Sequence, residues 1–396
     1  MRILHLSWEY PPEVYGGLGR HVRALAEEQA ALGHDVAVLT QWVKGAAREE
    51  SVGGVRVLRV PLDAPGVPDW RTDFIPWCFG FNTAVARAGI ELSRQWRPDV
   101  LHGHDWLVAQ AAVIVRTATG VPYVTTVHAT ESGRMGGSIV SEQSTAIDAT
   151  ENWMVGLADG VIVCSDFMRE EVASLFGRPR SAIAVIPNGI DADAWTTTPA
   201  RRRAARSAYG SPLIAFCGRL EVEKGVQTLI DALPAVRRRI PGVRAVIVGT
   251  GGAEAALTSQ VRRRRLQDAV AFAGYVTDAR MRAIVAAADV SAIPSLYEPF
   301  GFVALETMAL GTPVVASRTG GLAEIVEDGR TGWLVDPGDS GALGRTLAEV
   351  LDDPAEARRR AAAAGAEVRT RFSWRAIAER TAAVYGSVAG ASGTGT

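Results

Sequence analysis

Two carboxylates in one short stretch carry the most chemistry. They are Glu298 and Glu306 of Ser295-Leu-Tyr-Glu298-Pro-Phe-Gly301-Phe-Val-Ala-Leu-Glu306-Thr-Met-Ala-Leu-Gly311-Thr-Pro313. The stretch reads as a loop entering a short helix. Pro299 suits the first helical position, where its missing N–H has no partner to lose. Gly311 and Pro313 stop the helix. Glu298 then sits at the helix mouth beside the N–H groups of Phe300, Gly301 and Phe302, an arrangement that attracts anions, phosphate above all. Glu306 lies about five residues further in, roughly 7–8 Å along the axis. Its neighbours Val303, Ala304, Leu305, Met308 and Ala309 are apolar, so its carboxylate needs a polar partner. On spacing alone, a helix-dipole residue and a solvated face explain the pair as well.

Four other stretches hold candidates. The apolar run 213–217 ends at Gly218-Arg219-Leu-Glu-Val-Glu-Lys224-Gly225. Two cations beside a helix N-terminus can clamp a diphosphate, although Arg and Lys in a loop also serve as solvent decoration. Glu9-Tyr-Pro-Pro-Glu-Val-Tyr15-Gly16-Gly17-Leu-Gly19 opens a helix and nearly spells a dinucleotide fingerprint. NAD is disfavoured: the glycines come too late after the first strand, and the second strand ends at Thr40-Gln41 with no acid for a ribose diol. Gly16 and Gly17 remain a loop that a phosphate could approach. His102-Gly-His104-Asp105-Trp106 puts two histidines on one strand face, but no third metal ligand has suitable spacing. His128 ends a further strand and on its own reads as structural. Asp191-Ala-Asp193 resembles a metal-binding pair, yet it follows Pro187-Asn188-Gly189-Ile, which reads as a turn into a hinge. Trp70, Phe74, Trp77, Phe79 and Phe81 form a dense aromatic group, either core or a stacking surface for sugars.

These residues need a scaffold that brings loops together. Runs at 2–7, 35–40, 55–60, 99–102, 122–128, 160–164 and 182–186 read as strands, apolar on both faces as in a covered parallel sheet. Leu18, Val22, Leu25 and Leu32 give the helix between the first two one apolar face. A second series follows at 213–217, 244–248, 270–272, 290–294, 313–316 and 332–335, with helices at 339–352, 354–371 and about 374–388. The pattern is α/β: two Rossmann-like, doubly wound domains, 1–195 and 200–371, with a polar hinge near 190–210 and a small, polar, disordered tail at 389–396. In such sheets ligands bind where loops leave the carboxyl ends of strands, and every candidate above lies on a loop of that kind.

The chain of 396 residues suffices for two cores. Hydrophobic content of 47% and charge of 21% are those of a globular enzyme, and a net charge of −1 gives no case for nucleic acid. Arginine clusters at 201–203, 237–239, 262–265 and 358–360 lie in or near helices, so they read first as solvated faces and second as a means of docking on an anionic membrane. Cys78, Cys164 and Cys217 show neither a disulfide framework nor zinc spacing. The start of the chain is too short and polar for a signal peptide, and no apolar run spans a bilayer, so a cytoplasmic location is expected. Oligomeric state is not legible.

Glu298-x7-Glu306, followed by Gly311-Thr-Pro313 and Gly320-Gly321, resembles the donor-site signature of retaining glycosyltransferases of the GT-B fold. Family 4, which holds sucrose, glycogen and lipid-sugar glycosyltransferases, is the nearest kin. The starch-synthase family carries a lysine just before its Gly-Gly, where this chain has Val14 and Tyr15. The resemblance implies two domains facing across a cleft that closes over the donor, with the last helix crossing back onto the first domain. It implies that Arg219 and Lys224 hold the donor diphosphate with the N–H groups of residues 300–302. Glu298 contacts the sugar, Glu306 accepts from the ribose hydroxyls, and His128 touches the sugar near its reacting carbon. Glu9, Asp105 and Trp106 fall on the acceptor side. No metal or organic cofactor is implied. Trp8-Glu9-Tyr-Pro-Pro, His104-Asp-Trp and His128-Ala-Thr-Glu are similar to bacterial enzymes that extend glycogen or polymethylated glucose polysaccharides. The expected donor is UDP- or ADP-glucose and the expected product an α-(1→4) link. Rival readings are mannosyl or N-acetylhexosaminyl transfer to a lipid or small molecule, a silent sugar-binding protein, and a sugar-nucleotide epimerase.

Overall fold

The computed structural model describes residues 1–62 and 72–392 and divides into two compact units, Met1–Gly189 with Trp374–Thr396, and Ile190–Ser373. The Trp70 member of the aromatic group and the last four residues lie outside the described residues.

The first unit is built on β1 (Arg2–Leu6), β2 (Asp35–Gln41), β3 (Glu49–Val52), β4 (Val55–Val60), β5 (Val100–His104), β6 (Tyr123–Val127), β7 (Gly160–Val163) and β8 (Ile183–Val185). Their order is β3-β4-β2-β1-β5-β6-β7-β8, parallel except that β3 runs antiparallel to β4. The sequence reading lacks β3, whose Glu-Glu-Ser-Val has no apolar alternation. Gly53 and Gly54, at φ +58° and +79°, close that hairpin. Left-handed pairs of this kind make the tight turns that suit two-residue hairpins. Strand order reverses direction at β1/β5, and the register sets His5 opposite His102.

Helix Gly17–Ala31 lays Val22, Leu25 and Ala26 on Ile3, Val36 and Val38. Helix Trp374–Ser392 adds Ile377, Ala378 and Tyr385 to the same core. Burying each valine, leucine or isoleucine side chain among these contributes about 1.5–3 kcal/mol. The final helix continues four residues past the expected Val388, because Ala389, Gly390 and Ala391 contain no proline to stop it.

The second unit holds β9 (Leu213–Cys217), β10 (Arg244–Val248), β11 (Val270–Gly274), β12 (Val290–Ile293), β13 (Val314–Ser317) and β14 (Trp333–Val335), all parallel in the order β11-β10-β9-β12-β13-β14. This is the doubly wound order with its switch point between β9 and β12. Helix Val226–Arg239 packs Leu229, Ile230, Leu233 and Val236 against Ile214, Phe216 and Ile247. The stretch read as a hinge carries helix Pro199–Tyr209, capped by Thr198, whose hydroxyl accepts from the Arg201 N–H. The unit boundary falls earlier, at Gly189/Ile190. Several cluster arginines meet carboxylates: Arg237 with Asp268, Arg239 with Asp352, Arg264 with Asp231, and Arg359 and Arg360 with Glu356. Among the described residues no helix is long and apolar enough to cross a membrane. All three cysteines are buried and none is in a disulfide.

Candidate active site

In the second unit, two loops leave the carboxyl ends of β9 and β12 and lock together. The Glu223 carbonyl accepts from Leu296 N–H at 2.7 Å and Tyr297 N–H at 3.3 Å. Gly225 ends the short helix Val222–Lys224 at φ +70°, and a Cβ built there would lie 1.8 Å from the Pro294 carbonyl oxygen. Only glycine permits that approach. It sets Lys224 beside Glu298, where the ammonium donates to Glu298 Oε2 at 2.9 Å. Both side chains are largely covered, at 18% and 14% exposure, so the pair is better insulated than a surface ion pair. Ser295 Oγ donates to the same oxygen at 3.4 Å. Arg219 is more open, at 56%, and pairs with Glu223 at 3.1 Å.

The helix does not begin at Pro299 as expected. Gly301, at φ +116°, is its left-handed N-cap and the helix spans Phe302–Ala309. That φ cannot continue a helix, so Pro299 and Phe300 stay in the preceding bend. The N–H groups left open by the first turn begin at Phe302 and Val303. Phe300 is buried and meets Phe302 and Phe372 edge-on at 5.4 and 6.2 Å. The Gly320-Gly321 of the signature has a steric basis: Gly321 N–H donates to the Glu298 carbonyl at 2.9 Å, and a Cβ there would sit 2.3 Å from the Phe300 carbonyl oxygen. Glu306 is the fifth helical residue and half-buried. Burial raises the Cys217 thiol pKa, and the Glu306 charge raises it further, which places that carboxylate near the end of β9.

In the first unit, β1, β5 and β6 bring histidines together. His5 Nδ1 lies 3.0 Å from His104 Nε2, and His104 Nδ1 lies 3.3 Å from His128 Nε2. His102 meets the Tyr385 hydroxyl at 2.6 Å and Thr126 Oγ1 at 2.7 Å. His21, from the helix after the glycine loop, stands edge-on to His128 with ring centroids 4.7 Å apart. Burial lowers the pKa of all five rings. Asp105, at φ +62°, holds a backbone conformation strained for a non-glycine residue. Its Oδ1 accepts the His128 backbone N–H at 2.7 Å, tying the end of β5 to the end of β6.

His102 and His104 do share a face, and the possible metal ligands grouped with them are other histidines, not Asp105. The nitrogens of His5, His102 and His104, and those of His21, His104 and His128, approach within 4.8 Å and could hold a metal ion. In the first group both nitrogens of His5 and of His102 are already engaged in hydrogen bonds.

Glu9, expected on the acceptor side, is buried and turns toward the glycine loop. Its Oε2 accepts from the N–H groups of Tyr15, Gly16 and Gly19 at 2.9, 3.1 and 3.4 Å. The glycine loop is thus wrapped around a carboxylate of its own chain, where burial raises the Glu9 pKa against the pull of those three bonds. Gly16 is the N-cap and Gly17 the first residue of helix Gly17–Ala31. Trp106 is buried, edge-on to Phe74 at 5.7 Å, and Trp77 stacks between Phe74 and Phe81. Phe79 alone of that described group is widely exposed, at 54%. Asp191 Oδ1 caps the N–H groups of Asp193 and Ala194, an ordinary local turn. Asn188, expected in the turn, is buried beside His21.

Sequence reasoning missed His5, His21, Gln29 and Tyr385. One signal was available: all six of the chain's histidines fall within residues 5–128, with His5, His104 and His128 at or beside the ends of β1, β5 and β6.

Comparison with known proteins gives these parts a context. The pattern described as Glycosyltransferase Family 4 matches residues 15–194, and that of Glycosyl transferases group 1 matches residues 198–368. A protein named glycogen synthase from Mycobacterium tuberculosis is 43% identical over 97% of this chain and 94% of its own length. One named alpha-maltose-1-phosphate synthase from Mycolicibacterium smegmatis is 33% identical over 98% and 100%. The solved sucrose-phosphate synthase of Thermosynechococcus elongatus superposes with a TM-score of 0.84 at 27% identity, covering 98% of this chain and 99% of that one. Two doubly wound sheets, the glycine-enforced loop contact and these matches along the whole chain agree: the chain belongs to the family 4, group 1 glycosyltransferases of the GT-B fold.

Proposed function

We propose that this protein moves a glucosyl unit from a nucleoside-diphosphate glucose to an α-glucan, with retention and without a metal, forming α-(1→4) links. The observation that carries the reading is the Lys224–Glu298 pair, held by a glycine contact at the switch point of the second sheet. The glycogen synthase relative supports glucose and glucan. In this mechanism the acceptor hydroxyl oxygen bonds to the anomeric carbon on the face from which the diphosphate leaves. The carbon–oxygen bond to the phosphate breaks, its electron pair stays on the phosphate, and that oxygen takes the hydroxyl proton.

The protein supplies oriented charge. Lys224 and Arg219 hold the leaving diphosphate with the open N–H groups of the Phe302–Ala309 helix. Glu298 faces the sugar as its carbon becomes cationic, and Glu306 binds the ribose. His128 contacts the hexose. Glu9 shapes the glycine loop from inside, Gly16 and Gly17 leave room for the donor, and Asp105 and Trp106 support the acceptor side.

A second reading, transfer to a small phosphorylated acceptor, is favoured by the relative named alpha-maltose-1-phosphate synthase. The test offers UDP- and ADP-linked glucose, mannose and N-acetylglucosamine with short maltooligosaccharides or glucose 1-phosphate. Released nucleotide and a longer oligosaccharide with a glucose donor are expected. Transfer only to glucose 1-phosphate selects the second reading, and no release with any donor contradicts both.

A further inference from the structure

We propose that Gln29 fixes the tautomer of His128 through His5 and His104, leaving His128 Nδ1 bare to accept a hydroxyl of the bound sugar. The proposal rests on the reading of His128 as a sugar contact. None of the three relay residues needs to touch substrate; they are positioning residues.

The argument is one of donors and acceptors. A neutral imidazole has one N–H and one lone pair, so fixing either nitrogen fixes the other. Burial holds His5, His104 and His128 neutral. Gln29 is fully buried, and its Oε1 lies 2.7 Å from His5 Nε2. A carbonyl oxygen only accepts, so His5 Nε2 carries the proton and His5 Nδ1 accepts. The 3.0 Å contact then requires a proton on His104 Nε2. His104 Nδ1 must accept, so at 3.3 Å the donor is His128 Nε2. His128 Nδ1 is left with its lone pair.

The other arm of the same amide is consistent. Gln29 Nε2 donates to the Tyr385 hydroxyl at 3.2 Å, which donates to His102 Nδ1 at 2.6 Å, and His102 Nε2 donates to Thr126 Oγ1 at 2.7 Å. Turning the amide over would invert every bond in both arms. The 2.7 Å contact to His5 fits N–H···O, at the short end of its usual range, and is too short for a typical N–H···N bond. Tyr385 lies 356 residues from Gln29 in sequence, so the final helix steadies the amide that sets the relay. His21 stands beside His128 but donates to no member of the relay.

The test is nitrogen NMR of the full-length protein labelled at histidine, where protonated and bare ring nitrogens resonate far apart. With six histidines the spectrum is tractable. The wild type is expected to show His5, His104 and His128 neutral with protons on Nε2. A His128 ring protonated on Nδ1, or on both nitrogens, overturns the proposal. Gln29→Glu keeps an acceptor toward His5 and is expected to keep the His128 tautomer. Gln29→Leu removes it and is expected to shift the His128 nitrogen signals and lower kcat about tenfold, the worth of one hydrogen bond, with little change in KM for the acceptor. A folded Gln29→Leu protein with unchanged His128 signals overturns the role of Gln29. A fully active His128→Ala enzyme, with the wild-type tautomers as assigned, overturns the sugar-facing half and leaves the relay standing.

Discussion

Lys224 has one described charge partner, Glu298, and in the proposed mechanism the donor diphosphate becomes its second. Removing the ammonium takes away charge that matters most as the phosphate departs, so Lys224→Ala is expected to lower kcat by about 10²–10³. Steady-state nucleotide release measures this, and an enzyme with full kcat contradicts the role. The buried histidines make a different prediction. The His5 pKa is lowered from 6.5 to about 4 by burial. The unfolded chain takes up that proton at higher pH than the folded one does. The stability carried by the neutral ring is therefore complete above about pH 6.5 and lost as pH falls toward 4, by about 1.4 kcal/mol per pH unit. The other four rings shift the same way. Glu151 opposes them: burial pushes its carboxyl to about 8, so its share is complete below about 4.5 and fades as pH rises through 8. Glu9, whose carboxyl burial also raises, acts in the same sense as Glu151; five rings outweigh these two carboxyls, so calorimetry should show the thermal midpoint falling between about pH 7 and about pH 5. A flat or rising midpoint contradicts the buried neutral cluster. Residue types and spacing singled out Glu298, Glu306, Arg219 and Lys224, because each sits in a local motif, but left helix-dipole and solvated roles open; their expected roles came from the resemblance. The histidine relay was not legible, because its bonds join residues 24, 99 and 356 positions apart.

At the scale of elements, the two loops at β9 and β12 are set by backbone rather than by side chains. Gly225→Ala is expected to be severe. The left-handed φ costs about 1–2 kcal/mol for a non-glycine residue, and the added methyl would collide with the Pro294 carbonyl. Relief requires the loops to part, which separates Lys224 from Glu298. The measurement is chemical denaturation together with kcat; unchanged stability and activity contradict the claim that this contact builds the site. Most strands were readable because both faces are apolar, as in a covered parallel sheet. β3 was not, because an edge hairpin needs no apolar run. The start of the Phe302–Ala309 helix was misplaced because proline at a first turn is a general preference, whereas Gly301 takes a positive φ in a tertiary setting where an added Cβ would lie 2.9 Å from Leu322.

Across the whole molecule, each unit carries its own sheet and core, and in each the candidate residues cluster at the strand ends beside the reversal of strand order. The chain leaves the first unit at Gly189 and returns to it at Trp374, so the last helix is part of the first core although it is the last element in the sequence. The alternation of strands and helices announced two such units; which unit owns the last helix came only from the resemblance. The central claim is chemical: charge at a glycine-built loop pair lets a diphosphate leave while the new bond forms on the same face. The most direct measurement is the anomeric configuration of the first glucosyl unit added to a maltooligosaccharide by chelator-treated enzyme, read by proton NMR of the new linkage. The account predicts an α-linked product formed at full rate. A β-linked product, or a rate that returns only when a divalent metal is restored, would contradict it.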